Sequence, residues 1–319
     1  MAEQYTEEIS RSHPVTVIFL VDQSGSMDDP FGGAVGISKG QYTADALNRL
    51  IATMVTINTV GDEIYDRLNI SVIGYGGDSV STAFGGDLAD KKVIPLSEIG
   101  DRPVRIEKRR MKVPDGAGGI LEVENPFPIW IEPRADGVTP MKRAFEFARE
   151  IVSDSIAQYP ESYPPTIINI TDGAYTPPGQ AGDPKPIVEA IKSMININGS
   201  KPLVYNCHIT HSSIPAVLYP SSHEQLDDEY AKELFSMSSS LPASLVSAAG
   251  AAKFEGIREG SRGFVFNADA VQLVEFLDWG TRKATGEIRP GHEVRPGIEE
   301  TTGEAEAEVE TRPGSEYLE

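Results

Sequence analysis

The sequence predicts an α/β protein with a doubly wound, mostly parallel sheet flanked by helices. Residues 15–21, 68–77 and 165–173 are apolar or β-branched runs without alternation, as is typical of strands buried on both faces. Segments with helical periodicity separate them, as at residues 37–60 and 139–158. Strand, helix and strand in this order predict βαβ units, whose crossovers are right-handed almost without exception.

The elements follow in order along the chain. The strand at 15–21 leads through a turn-rich loop into a helix at 37–60, whose apolar stripe includes Leu47, Leu50, Ile51 and Met54. After the second strand the pattern changes: from 78 to 136, short β-like pieces alternate with Gly, Pro and Asp, which predicts an inserted β-hairpin or small sheet. The alternation then resumes, with helices predicted at 139–158, 184–196, 241–254 and 268–279, and strands at 165–173, 201–210 and 261–267.

Composition and charge limit the function. The 319 residues carry 28 Lys and Arg against 48 Asp and Glu, for a net charge of −20. This balance argues against nucleic acid and anionic membranes as partners, but suits a basic partner or a metal ion held by carboxylates. The single cysteine, Cys207, excludes an intrachain disulfide framework. The beginning of the sequence does not look like a signal peptide and no apolar run approaches ~20 residues, so we expect a cytoplasmic protein.

The ends of the chain differ from its middle. Residues 1–13 are polar and are predicted to form a flexible N-terminus. Residues 14–280 are predicted to form one domain. Residues 281–319 are predicted to be a disordered acidic tail, since the stretch 286–319 carries ten acidic and three basic residues and few apolar ones.

Three loops carry oxygen ligands at the expected carboxyl edge of the sheet, where ligands of such folds usually bind. Asp22, Ser24 and Ser26 follow the first strand, Thr139 precedes a helix, and Asp172 ends another strand. Thr139 also suits the N-cap of that helix, with Pro140 at its first position. Carboxylate and hydroxyl oxygens prefer Mg²⁺, Mn²⁺ or Ca²⁺. Alternatively, the Asp and Ser side chains only cap backbone amides in polar turns.

This combination of D-x-S-x-S, a threonine before a helix and an aspartate in a T-D-G turn resembles the metal-ion-dependent adhesion site of von Willebrand factor A (vWA) domains. The resemblance extends over residues 15–279 and is greatest to the stand-alone bacterial TerY-like branch, which is associated with tellurite resistance. It implies one Mg²⁺ (or Mn²⁺ or Ca²⁺), bound directly by the two serines, directly or through water by the threonine, and largely through water by the aspartates. The metal ligands so implied are Asp22, Ser24, Ser26, Thr139 and Asp172.

The resemblance implies a non-enzymatic protein-interaction module, in which a partner's Asp or Glu completes the metal's coordination. TerY-like systems suggest a protein phosphatase of the metal-dependent class and a Ser/Thr kinase as partners, with this chain as scaffold in a bacterial stress, signalling or defence system. The chain departs from the family in reading Asp136-Gly137-Val138 where a double glycine is usual.

Two other functions use the same site. One is a metal-dependent phosphoester hydrolase, for which only Asp28, Asp29 or Asp136 are candidate bases. The other is a vWA subunit coupled to a partner ATPase. The sequence lacks the G-x-x-x-x-G-K-[ST] phosphate loop of nucleotide-binding enzymes.

Overall fold

The computed structural model describes residues 5–31, 36–114, 120–173, 182–209, 215–251, 256–268, 272–273 and 275–276. Within them the fold is mixed α/β, with six helices and a mostly parallel central sheet. The helices are α1 (Lys39–Ile57), α2 (Leu96–Asp101), α3 (Met141–Gln158), α4 (Lys185–Ser193), α5 (Glu229–Met237) and α6 (Ala243–Ala251). The strands are β1 (Val15–Asp22), β2 (Thr59–Val60), β3 (Glu63–Ile64), β4 (Leu68–Gly76), β5 (Ser79–Thr82), β6 (Ile94–Pro95), β7 (Arg105–Pro114), β8 (Ile120–Ile129), β9 (Thr166–Thr171), β10 (Leu203–His208), β11 (Val217–Leu218) and β12 (Phe264–Phe266).

The central sheet places β1 between two parallel neighbours. Its order is β11-β12-β10-β9-β1-β4-β5, and β6 also pairs with β4. The strands from β12 to β4 run parallel, whereas β11, β5 and β6 are antiparallel additions. Val21 is in register with Ile170 of β9, and Asp22 with Tyr75 of β4. The loops after β1 and β9 therefore leave the same edge of the sheet side by side.

Helices cover both faces of this sheet, as the unalternating apolar runs predicted. All eight residues of β1 are buried. Val17 and Phe19 belong to a hydrophobic cluster with residues of α1, α2 and α6. Ile18 and Leu20 belong to a second cluster with α3, α4 and α5. Each face of β1 is thus part of a core, and the strand is held rigidly beneath the loop that follows it.

The segment from 78 to 136 contains a β-hairpin but is not one separate unit. Strands β7 and β8 pair antiparallel in a two-stranded sheet of their own, in register from Arg105↔Ile129 to Pro114↔Ile120. Strands β5 and β6, which also lie in this segment, instead extend the central sheet by pairing with β4. The pairing of β5 follows from the short turn after Gly76, since Gly77 has φ +57° and reverses the chain at once.

A buried asparagine of α1 holds the chain where it leaves the hairpin. The Asn48 side chain accepts hydrogen bonds from the backbone N–H groups of Trp130 (2.9 Å) and Ile131 (3.0 Å) and donates to the carbonyl of Ile131 (2.9 Å). Asn48 is 1% exposed. These three bonds fix the segment that leads toward residues 136–139, one of the predicted site loops.

Helix α3 begins two residues later than predicted. Its N-cap is Pro140, with no side-chain capping bond, and Met141 N–H donates to the carbonyl of Thr139 at 2.9 Å. The prediction of Thr139 as N-cap, with Pro140 at the first helical position, is wrong because this tight turn places Thr139 outside the helix.

Some predictions fall outside the described residues. The tail at 281–319 lies outside them, as does most of the helix predicted at 268–279. Within the predicted N-terminal segment, Glu7 is buried and accepts a 2.9 Å hydrogen bond from Asn196. Among the described helices, none combines the length and apolar character that a membrane crossing requires.

Candidate functional site

The first loop (residues 22–26) is organised by the carboxylate of Asp22. This side chain is fully buried at the end of β1. Its Oδ1 accepts a hydrogen bond from the Ser24 N–H at 2.9 Å, and its Oδ2 accepts one from the Thr171 hydroxyl at 2.7 Å. The bond to Ser24 turns the chain, and a short 3₁₀ helix begins at Gly25. The hydroxyl oxygens of Ser24 and Ser26 consequently lie 3.1 Å apart.

The second loop (residues 136–139) is joined to the first through backbone groups. Asp136 N–H donates to the carbonyl of Gln23 at 2.7 Å, and Gly25 N–H donates to the carbonyl of Gly137 at 3.0 Å. Gly137 has φ +55°, and a Cβ there would lie 2.7 Å from the Cα of Gly77, so this approach requires glycine. Thr139, two residues further on, is 6% exposed.

The third loop (residues 171–173) is anchored at both ends. Thr171 donates to Asp22 and accepts a 3.0 Å hydrogen bond from the Gly173 N–H. The carbonyl of Asp172 accepts a 2.7 Å hydrogen bond from Nε2 of His208, which therefore carries a proton. The Asp172 side chain is 6% exposed, and its buried Oδ1 has no hydrogen-bond partner among the described residues. Leaving such an oxygen unpaired is costly, so Oδ1 of Asp172 is an acceptor that the described side chains of the site do not satisfy.

Two residues that the sequence analysis missed belong to this cluster. Nζ of Lys39, at the start of α1, lies 3.3 Å from Oδ2 of Asp172 and 3.3 Å from the carbonyl oxygen of Ser26. His208 is not among the predicted ligands, and its hydrogen bond to the Asp172 carbonyl positions the third loop. The sequence places Lys39 directly after Ser38, the N-cap of α1, where the helix dipole disfavours a cation. This position indicates a nearby negative charge but does not identify Asp172 as its source.

Burial controls the electrostatics here. It raises the pKa of Asp22 to about 6, against hydrogen bonds from Ser24 and Thr171 that lower it. Burial lowers the pKa of His208, which agrees with a neutral ring that donates from Nε2. Burial also raises the pKa of Tyr75 well above its usual range, and its hydroxyl donates to Asn169 at 2.7 Å beneath the site. The site therefore combines Asp22, whose hydrogen-bond partners are neutral, with Asp172, whose Oδ2 is paired with Lys39.

The structure brings four of the predicted ligands, Asp22, Ser24, Ser26 and Asp172, into one connected cluster. Thr139 lies two residues after Gly137, whose carbonyl accepts one of the backbone bonds that join the second loop to the first. Asp28, Asp29 and Asp136 are exposed around this cluster. No group of three or more His, Cys, Asp or Glu side chains among the described residues could hold a metal ion. The predicted ligand set is of another kind, with two carboxylates and three hydroxyls, and its hard oxygens fit Mg²⁺.

The fold and the site together define an α/β protein with an oxygen-lined cluster at the carboxyl edge of its sheet. No protein-family model matches the chain, and neither does any curated protein. Among solved structures, the PilB minor pilin from Streptococcus sanguinis is 16% identical with a TM-score of 0.29, over 50% of this chain and 30% of that one. The structure of three N-terminal domains of the type V pili tip protein Mfa5 from Porphyromonas gingivalis is 19% identical with a TM-score of 0.29. That match covers 63% of this chain and 30% of the other. The match thus covers about three tenths of each of these solved chains. The function is therefore inferred from the chemistry of the site alone.

Proposed function

We propose that this protein is a vWA-type, metal-dependent protein-interaction module that presents Mg²⁺ to an acidic side chain of a partner. The observation that carries the proposal is the convergence of the first and third loops: Asp22 and Asp172 are buried beside paired serine hydroxyls, and Oδ1 of Asp172 has no described partner. A divalent cation with its bound waters would satisfy that oxygen and would place positive charge beside Asp22, whose hydrogen-bond partners are neutral.

Each residue has a distinct role in this proposal. Ser24 and Ser26 bind the ion through their hydroxyls. Asp22 and Asp172 act largely through water, and Thr139 binds directly or through water. When bound, the ion supplies an electrophilic position for a carboxylate oxygen. Neutral direct ligands leave most of the ion's charge available, and Mg²⁺ readily retains exchangeable waters.

Mg²⁺ titration by calorimetry tests the metal site. We expect a saturable heat for the wild type and none for Asp22→Asn, which keeps the shape of the side chain but removes its charge. Asp154→Asn is the matched control, because Asp154 is exposed in the second half of α3, away from the three loops, and its variant should keep the wild-type heat. Equal heats for the wild type and Asp22→Asn would contradict the proposal.

Capture of partners tests the interaction. Immobilised protein is incubated with lysate of its source in Mg²⁺ or in EDTA, and the bound proteins are identified by mass spectrometry. We expect a partner that is retained by the wild type in Mg²⁺ and lost both in EDTA and with Ser26→Ala. By analogy with TerY-like systems, a metal-dependent phosphatase and a Ser/Thr kinase are the expected classes. Retention that is indifferent to EDTA and to Ser26→Ala would contradict a role for the metal.

A turnover assay separates this function from hydrolysis. The three candidate bases, Asp28, Asp29 and Asp136, are exposed residues around the cluster, whereas a general base must lie within hydrogen-bond reach of the proton that it abstracts. We therefore expect no Mn²⁺-dependent cleavage of generic phosphoesters. Turnover that Asp136→Asn abolishes would favour the hydrolase instead.

A further inference from the structure

We propose that the ammonium group of Lys39 is an internal cation that competes with the divalent ion for Asp172 and so sets the metal affinity of the site. This inference rests on the proposed function and concerns how that same site is regulated. Lys39 Nζ contacts groups from two of the site loops: Oδ2 of Asp172 and the carbonyl oxygen of Ser26, each at 3.3 Å, with Oδ2 of Asp29 at 3.5 Å.

The position of Lys39 indicates that its charge is held there by the site. Its side chain is 7% exposed, although lysines are almost never buried unless paired. It is the first residue of α1, where the helix dipole disfavours a cation, and the first turn of the helix contains no acidic residue. Asp172, 6% exposed, is the buried partner that offsets both costs.

The start of α1 cannot easily move away from the loops. Lys39 N–H donates to the carbonyl of Asp29 at 3.0 Å. A Cβ on the next residue, Gly40, would lie 3.3 Å from the carbonyl oxygens of both Met27 and Arg134. The start of the helix therefore contacts residues 27–29, directly after the first loop, on one side. On the other side it contacts the chain that leads to the second loop. The lysine side chain is flexible, so the ammonium can leave Asp172 while the backbone stays in place.

The consequence is competition between two cations for one carboxylate. With the ion absent, Lys39 neutralises Asp172 and stabilises the assembled loops. A divalent ion beside Asp172 repels the ammonium, and part of the binding free energy is spent on moving it. The site should then bind Mg²⁺ more weakly than the same ligands without the lysine, so that occupancy responds to changes in the Mg²⁺ concentration.

Calorimetric Mg²⁺ titration of Lys39→Met tests the inference, since methionine fills similar space without charge. We expect the dissociation constant to fall at least about tenfold, because repulsion at a buried position is weakly screened. Lys39→Arg keeps the charge and should stay close to the wild type. Lys142→Met is the matched control: it removes the same charge from α3, where the side chain is 36% exposed and pairs with Glu146. It should change the constant by less than about twofold.

A second measurement follows the wild-type protein and uses only the charge-conserving variant Lys39→Arg, to assign the signal. In wild-type protein with ¹³C-labelled lysine, the ε-methylene signal of Lys39, assigned by its loss in Lys39→Arg, should shift with the same Mg²⁺ midpoint as the heat. The signal of Lys142 should not shift. A stationary Lys39 signal during Mg²⁺ binding would overturn the inference.

The outcomes separate the two proposals. If the wild type and a folded Lys39→Met bind Mg²⁺ with equal affinity, or if the variant binds it more weakly, the competition is overturned. The proposed metal site is unaffected by either result. No heat in either protein would overturn both. Binding by Lys39→Met alone would support the competition and show that the wild-type site is closed to Mg²⁺.

Discussion

Gly137 is the residue on which the approach of the second loop depends. A Cβ at this position would lie 2.7 Å from Gly77 Cα, whereas at Gly61, which has a similar φ of +64°, it would meet nothing within 4 Å. Gly61→Ala should therefore cost about 1 kcal/mol of unfolding free energy, from backbone strain alone. Gly137→Ala should cost about 3 kcal/mol, because the backbone must also shift.

Urea unfolding of both alanine variants in EDTA measures this difference. Calorimetry should in addition show weaker Mg²⁺ binding for Gly137→Ala and unchanged binding for Gly61→Ala. Equal destabilisation of the two variants would mean that the loop tolerates the extra carbon and that the contact with Gly77 is not limiting.

At the scale of single residues, the sequence indicated that the three site loops lie at one edge of the sheet. It did not indicate every side chain that contacts them. The placement of Asp22, Ser24, Ser26 and Asp172 at one edge of the sheet was predictable, because the first three lie at or just after the end of β1 and Asp172 follows β9. Lys39 and His208 were not, since their contacts with Asp172 span 133 and 36 residues of chain. Only the packing of α1 and β10 against the third loop reveals them.

Among the elements, helix α1 both packs against the sheet and, through Asn48, fixes the chain where it leaves the β7–β8 hairpin. Asn48→Ala would leave two backbone N–H groups and one carbonyl unpaired in a buried position. We expect a loss of about 3–4 kcal/mol of unfolding free energy. Asn58→Ala is the matched control: Asn58 is equally buried but donates only to the carbonyl of Met54, and should cost about 1 kcal/mol.

Urea denaturation of these two asparagine variants makes the comparison. Since residues 130–131 lead to the second loop, Asn48→Ala should also weaken Mg²⁺ binding. Similar losses of stability for both variants would show that the hairpin exit is held by other contacts, such as the bond from the Trp130 indole to the carbonyl of Ile99.

The elements themselves were predictable to different degrees. The bounds of the central parallel strands were predicted to within three residues, because burial on both faces leaves an uninterrupted apolar run. Helix α5 was missed, although Asp228 caps it by accepting from the Ala231 N–H at 2.7 Å, and Leu234 and Phe235 continue a buried stripe. Strands β5 and β6 were assigned to the insert because edge pairing depends on a partner strand, which periodicity does not identify.

Across the whole molecule, Cys207 offers a single probe of global unfolding. It is the only cysteine, is fully buried in β10, and burial raises the pKa of its thiol. The thiolate is the reactive form, so the native protein should not react with Ellman's reagent at pH 8. We expect one equivalent to react in urea, and Mg²⁺ to slow the reaction by stabilising the folded state.

Labelling of Asp22→Asn under the same conditions is the control, and Mg²⁺ should leave its rate unchanged. Rapid labelling of the native wild type would show that β10 opens locally. Equal slowing by Mg²⁺ in both proteins would place the stabilising ion somewhere other than the proposed site.

The bonds that join the first and second loops are made by peptide groups, which every residue type except proline supplies in full. The side chains of Gln23 and Asp136 are therefore not what these bonds between the loops depend on. Where space allows, substitutions there can alter the charge and shape that surround the site without displacing the ligands. The frame and the rim of the site can thus change independently. In the proposed interaction module, such changes would alter the choice of partner while the architecture beneath the site is kept.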